Sequence, residues 1–372
     1  MTPAVVVDQD RLTSNIEKMA AKAKENNVAL RPHIKTHKCL EIAGLQASAG
    51  AKGITVATIG EALDFADGGF DDITLAAPLV HDKFPSVSSL SQRVNLKILV
   101  DHPWTVESLQ AYAKIERIDL NVLLKVDCNY GRSGVSPDKP NAVRPAREIL
   151  EASNLEFAGI LTHAGHSYGA RSPDEVRKVA VEEQELMLRF ADTLRKESQD
   201  LDPETVSIGS TPTMLLAEDI REGITEIRPG SYVFCDYTQV ALGVCKATDC
   251  ALTVVSSVRS AFEDRIVVDA GATALSLDPG PAHLEPNCGF GKIITDYWEG
   301  TIDSSSISSL SQEHGKAIFR GETALRNALP GNRIRIIPNH SCLTANLSDD
   351  YYVASGEDII DVWPVMRRRF TT

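Results

Sequence analysis

Eight short apolar runs recur along the N-terminal part of the chain, at 28–31, 53–58, 73–77, 96–101, 121–127, 157–163, 205–209 and 225–228. Most are continuous rather than alternating, the pattern of strands covered on both faces of a parallel sheet. Helix-like segments separate them, at 40–49, 60–67, 82–90, 103–115, 141–152, 173–198 and 212–218. Eight strands joined by crossover helices within roughly 200 residues predict an α/β fold closed as a (β/α)8 TIM barrel. Its extent is 9–240, entered by an amphipathic helix over 10–26 with Asp10 or Thr13 as cap. An open doubly wound sheet would place a Gly-rich phosphate turn after the first strand. That turn instead reads Arg31-Pro-His-Ile-Lys-Thr-His-Lys38.

After about residue 240 the texture changes to short β-type runs at 251–257, 265–269, 317–321, 333–337, 351–354 and 359–363, divided by Gly, Pro, Asp and Asn. This predicts a mainly β C-terminal domain over 241–372. The apolar run Ala4-Val-Val-Val7 has nothing local to pair with, so residues 1–8 are expected to join that domain. The serine-rich stretch 304–311 reads as an exposed loop. A hydrophobic content of 43% supports a full core. The formal net charge of -13, with no basic block beyond Arg367-Arg-Arg369, argues against a nucleic-acid partner. No apolar run is long enough for a membrane span, and the N-terminus lacks a secretory signal's basic and apolar regions. Seven scattered cysteines point to reduced thiols, and so to a cytoplasmic protein.

In such a barrel chemistry sits at the C-terminal ends of the strands. Those ends carry Lys35, then Thr58, then Asp127 leading into Gly131-Arg132-Ser133-Gly134. His163 follows with His166 and Tyr168, then Gly209-Ser-Thr211 and Arg228-Pro-Gly-Ser-Tyr232. Lys35 has two imidazoles (His33, His37) and two cations (Arg31, Lys38) near it in sequence, a setting that suits a nucleophilic amine. The octamer alone reads equally well as a basic loop. Gly209-Ser-Thr211 and Gly230-Ser231 offer backbone N–H groups of the kind that hold a phosphate. In the β-domain, His340 and Cys342 would share one side of an extended segment and form a soft zinc site with positions left open; a metal-free buried pair is the alternative. His81, His102, His283 and His314 read as ordinary residues.

The octamer around Lys35, with Lys125-Val-Asp-Cys-Asn-Tyr-Gly-Arg-Ser-Gly134, Thr162-His-Ala-Gly-His-Ser-Tyr168, Val268-Asp-Ala-Gly271 and Pro338-Asn-His-Ser-Cys342, resembles the D-threonine aldolase / eukaryotic-type D-serine dehydratase family. That family consists of fold-type III, alanine-racemase-like enzymes that use pyridoxal 5'-phosphate. The resemblance implies that Lys35 carries the cofactor and that Tyr168 meets its pyridine nitrogen. Arg132 would lie near its ring oxygen or the substrate, Thr211, Gly230 and Ser231 would hold the phosphate, and Thr58 and His163 would line the site. His340 and Cys342 would bind a divalent metal, and the assembly would be a homodimer. The aldolase branch typically has Asp where this chain has Cys342, so the resemblance is closer to the dehydratases. The implied substrate is a 3-hydroxy-D-amino acid, D-serine or 3-hydroxy-D-aspartate, converted to a 2-oxo acid and ammonia. The alternative is retro-aldol cleavage to glycine and an aldehyde. Less favoured are a non-catalytic cofactor-binding protein and a racemase, whose second acid/base would come from Tyr297, Tyr351 or Tyr352.

Overall fold

The computed structural model describes residues 1–366, so the Arg367-Arg-Arg369 triplet lies outside the described residues. The chain opens with β1 (Ala4–Asp8) and a helix over Gln9–Glu25, which starts where the Asp8 carboxylate accepts the Arg11 N–H. The cap is therefore Asp8, neither Asp10 nor Thr13.

Eight parallel strands follow: β2 (Ala29–Leu30), β3 (Ile54–Val56), β4 (Asp72–Pro78), β5 (Asn95–Val100), β6 (Leu120–Lys125), β7 (Leu155–Leu161), β8 (Thr205–Ile208) and β9 (Glu226–Ile227). Their order is β2-β9-β8-β7-β6-β5-β4-β3. The ring closes where the Lys52 and Thr55 N–H groups donate to Leu30 O and Pro32 O. β2 and β9 are shorter than the runs 28–31 and 225–228: Val28 donates to Ala23 O at the end of the preceding helix, and beyond the strands Pro32 and Pro229 supply no N–H to the ladder. Outward-facing Ile54, Val56, Ile73, Leu75, Ile98, Val100 and Val122 pack on helix residues such as Phe65, Phe84, Val87 and Leu109. Full burial of each such aliphatic side chain contributes about 1.5–3 kcal/mol.

The second domain comprises β10 (Leu252–Ala261), β11 (Arg265–Val268), β12 (Lys292–Asp296), β13 (Thr301–Leu310), β14 (Gly315–Ile318), β15 (Arg333–Ile337), β16 (Asp350–Ser355) and β17 (Asp358–Pro364). The order is β11-β14-β13-β12-β15-β10-β1-β16-β17, and β10 also pairs with β11, so six strands close on themselves. β1 pairs antiparallel with β10 and parallel with β16, as its lack of local partners implies. The serine stretch 304–311 is not a loop: most of it is β13, with Ser305, Ser306 and Ile307 buried. Its hydroxyls meet backbone partners, as where Ser308 donates to Lys316 O, which lets a serine run serve as a strand. β12 is absent from the expectations above. All seven cysteines are free thiols. Among the described residues no helix is long and apolar enough to cross a membrane.

Candidate active site

Lys35 stands on a single 3-10 turn, Ile34–Thr36, immediately beyond the Pro32 break after β2. Of the octamer, only His33, Lys35 and Thr36 line a cavity of about 330 Å³. The other polar members are spent on the scaffold. Arg31 forks onto both oxygens of Asp72 (2.8 and 2.9 Å) and bonds Glu226 through Nε at 2.6 Å. Lys38 reaches Asn346 Oδ1 at 2.9 Å and Glu61 at 3.3 Å, while the buried His37 meets Gln46 Oε1 at 3.2 Å. Arg31 and Lys38 therefore do not crowd the amine, contrary to the reading from sequence. The charge of Lys35 acts instead on His33, His163 and Cys342. Burial first, then the Lys35 and Arg228 charges, holds both imidazoles well below the ordinary histidine range, so both are neutral.

The barrel wall gathers residues from the other strand ends. His163 Nδ1 lies 3.2 Å from Gly209 O, and its ring meets Tyr130 edge-on. Arg132 stacks over the Tyr130 ring at 5.0 Å, on a turn where Asp127 Oδ1 accepts the Tyr130 and Gly131 N–H groups. The Tyr168 hydroxyl lies 3.4 Å from Ser231 Oγ, and burial raises its pKa. Gly230 must be glycine: a Cβ there would stand 2.9 Å from Thr36 Oγ1 and 3.0 Å from His33 O. Thr58 is elsewhere. Its hydroxyl caps the helix Ile59–Asp67 by accepting the Glu61 N–H, and it does not line the cavity.

The opposite wall comes from the β-domain. His340 and Cys342 do not sit on an extended segment: His340 is at the N-cap, and Cys342 is the second residue, of the short helix Ser341–Ala345. Asp236, wholly buried, accepts from His340 Nδ1 at 3.2 Å and from the Ser341 N–H and hydroxyl at 3.0 and 3.1 Å. With Nδ1 engaged, Nε2 is the nitrogen left for a ligand. Cys342 Sγ is 3.2 Å from the Thr36 hydroxyl. Burial alone would raise the Cys342 thiol, but His340 and then Lys35 bring it below its usual value. Against the same burial, the Cys342 and Asp236 charges hold His340 well above the ordinary range. Thiol and imidazole together form a soft donor set once both have given up their protons.

These residues fit both groups that the family resemblance implies. Thr211 Oγ1 and His33 Nδ1 line the cavity, buried and without a hydrogen-bond partner, so a ligand's polar atoms have groups to meet. Among the described residues no three or more His, Cys, Asp or Glu side chains gather around a metal position, so a cation at His340 and Cys342 would need water or substrate as further ligands. Sequence reasoning missed Asp236, Thr238, Asp278 and His283. His283 lines the cavity and reaches Ala170 O through Nε2 at 2.9 Å, tying a β-domain loop to the barrel. None of Tyr297, Tyr351 and Tyr352 lines the cavity; Tyr351 donates to His37 O at 2.6 Å and Tyr297 to Asp8 at 3.0 Å.

Residues 7–238 match the family described as alanine racemase, N-terminal domain, and residues 251–354 match the putative serine dehydratase domain. D-threo-3-hydroxyaspartate dehydratase of Delftia sp. (strain HT23) is 34% identical, over 97% of this chain and 96% of that protein. The chain belongs to the D-threonine aldolase / D-serine dehydratase family. Within this family of fold-type III, pyridoxal phosphate-dependent lyases, D-serine dehydratase of Dictyostelium discoideum is 33% identical over 96% of this chain and 94% of its own. D-threonine aldolase of an Arthrobacter species is 28% identical over 100% and 93%. The solved structure of the Delftia enzyme superposes with a TM-score of 0.91 at 32% identity, covering 98% of this chain and 97% of that one. A variant of that enzyme has been solved in a metal-free form.

Proposed function

We propose that this chain is a pyridoxal phosphate- and zinc-dependent dehydratase of 3-hydroxy-D-amino acids, D-serine or 3-hydroxy-D-aspartate, yielding a 2-oxo acid and ammonia. One observation carries the reading: Lys35 from the barrel and the His340–Cys342 pair from the β-domain line the same cavity. Lys35 binds the cofactor aldehyde, and Thr211, Gly230 and Ser231 hold its phosphate. Tyr168, on the same wall with its hydroxyl 3.4 Å from Ser231 Oγ, would meet the pyridine nitrogen. Bound there, the cofactor supplies an electron sink for a carbanion at Cα. The Lys35 amine would be the base placed to take the α-proton. His163 and His33 line the site as neutral imidazoles. His340 Nε2 and Cys342 Sγ would hold the divalent cation, whose Lewis acidity favours departure of the 3-hydroxyl. Arg132, at the mouth, binds an anionic group of substrate or cofactor. We further propose a cytoplasmic homodimer, which sedimentation of the loaded protein would test.

Incubation with D-serine and a panel of 3-hydroxy-D-amino acids should release a 2-oxo acid and ammonia in equal amounts. Glycine plus aldehyde, without 2-oxo acid, would overturn the dehydratase reading in favour of an aldolase. The Arthrobacter relative, spanning the whole chain, makes that the second reading; Cys342 as a soft donor favours the first.

A further inference from the structure

The helix Pro173–Glu197 buries a mostly apolar face: Val176, Ala180, Leu186, Met187, Phe190, Ala191 and Leu194. Within it lies one carboxylate, Glu183, only 1% exposed. Its Oε1 accepts the Gly209 N–H at 3.0 Å and the Ala164 N–H at 3.2 Å; its Oε2 lies 3.4 Å from Thr213 Oγ1. These amides stand just past the ends of β8 and β7, where the ladder offers no further acceptor. The contacts continue from Thr213 Oγ1 to Ser210 Oγ at 2.9 Å, from Ser210 to Ser167 Oγ at 2.8 Å, and from Ser167 back to Ala164 O at 2.7 Å. The two loops so joined carry His163, Tyr168, Ser210 and Thr211 of the cavity wall.

Two stranded amides and a hydroxyl could be satisfied by a neutral amide side chain at lower desolvation cost than a carboxylate. The charge therefore has a second use. Glu183 faces the buried side chains of Arg228 and Lys125, and Arg228 is itself on the cavity wall. Burial lowers the Arg228 guanidinium to about 10, with Glu226 and Glu183 opposing that fall.

We infer that Glu183 is a positioning residue for the cofactor: it joins the loops after β7 and β8 into one wall and supplies countercharge behind Arg228. The inference rests on the reading of this cavity as the pyridoxal phosphate site. The test is a pyridoxal phosphate titration of metal-loaded protein, followed by cofactor absorbance, for wild type, Glu183→Gln and Thr213→Val. Thermal melts of the same proteins without cofactor report the fold. Glu183→Gln should weaken cofactor binding about tenfold, the scale of one charged hydrogen bond. Thr213→Val should weaken it about threefold, as loss of a weaker neutral contact would. At saturating cofactor the KM for the amino acid should stay within about twofold of wild type, since neither residue lines the cavity. Wild-type affinity in a folded Glu183→Gln protein would overturn the inference. Were that variant unable to fold, wild-type affinity in Thr213→Val would overturn it instead. Failure of the wild-type protein itself to bind the cofactor would sink the functional reading, a different outcome.

Discussion

The two walls of the cavity are built by different means. On the barrel side, Lys35, His163, Thr211 and Ser231 each follow the end of a parallel strand, so the ladder sets their positions. On the other side, His340 and Cys342 sit at the start of a five-residue helix, held by the buried carboxylate of Asp236 and by Thr238 donating to Asn339 O, from the segment after β9. A wall built on a closed ring keeps its shape when one side chain is lost. The other wall rests on a few contacts to one short segment, chiefly from Asp236 and Thr238. Under the function proposed above, cofactor contacts would be spread over several strands and metal contacts concentrated.

The sharpest way to break this contrast is Lys35→Ala. It should lower kcat by roughly 10³-fold or more and abolish covalent cofactor absorbance. Metal content, measured by atomic absorption, should be unchanged; loss of metal as well would show that the walls are not separate. Asp236→Asn should act on the other side alone. Weakening the support of a ligating histidine should reduce metal affinity by about 10- to 100-fold. Competition with a chelator would read that change, while cofactor absorbance should persist. The smallest effect concerns the barrel interior. Burial first, then Arg228, lowers Lys125 to about 7. Between that value and the ordinary 10.5 the unfolded chain binds more protons than the folded one, so this group makes stability rise with pH from about 7 upwards. Its slope approaches about 1.4 kcal/mol per pH unit at most. Melts of wild type and Lys125→Met at pH 7 to 9 should diverge in slope by part of that amount, with the variant flatter.

The same contrast explains what could be read from sequence. Parallel strands covered on both faces leave continuous apolar runs, so the ring and its order of elements were legible, and Lys35, Gly230 and Ser231 followed from being next to strand ends. Pro32 and Pro229 stood in plain view, yet their shortening of β2 and β9 follows only once those strands are paired. Thr58 also follows a strand, but its hydroxyl serves a helix cap, and strand-end position cannot tell those uses apart. The β-domain hid more. Hydroxyl partners across neighbouring strands turned the serine stretch into β13. Asp236 meets His340 from 104 positions away, in a segment without a motif. Glu183 shares its helix with several other acids, and only the loops packed above it single it out.

The walls meet at Thr36, whose hydroxyl touches Cys342 while its peptide neighbour is Lys35. Under the function proposed above, two ligands would share a single residue as their common border. Equilibrium thermodynamics then demands reciprocity: by whatever factor occupancy at the amine alters the thiol's grip on a cation, the cation alters retention of the aldehyde by that same factor.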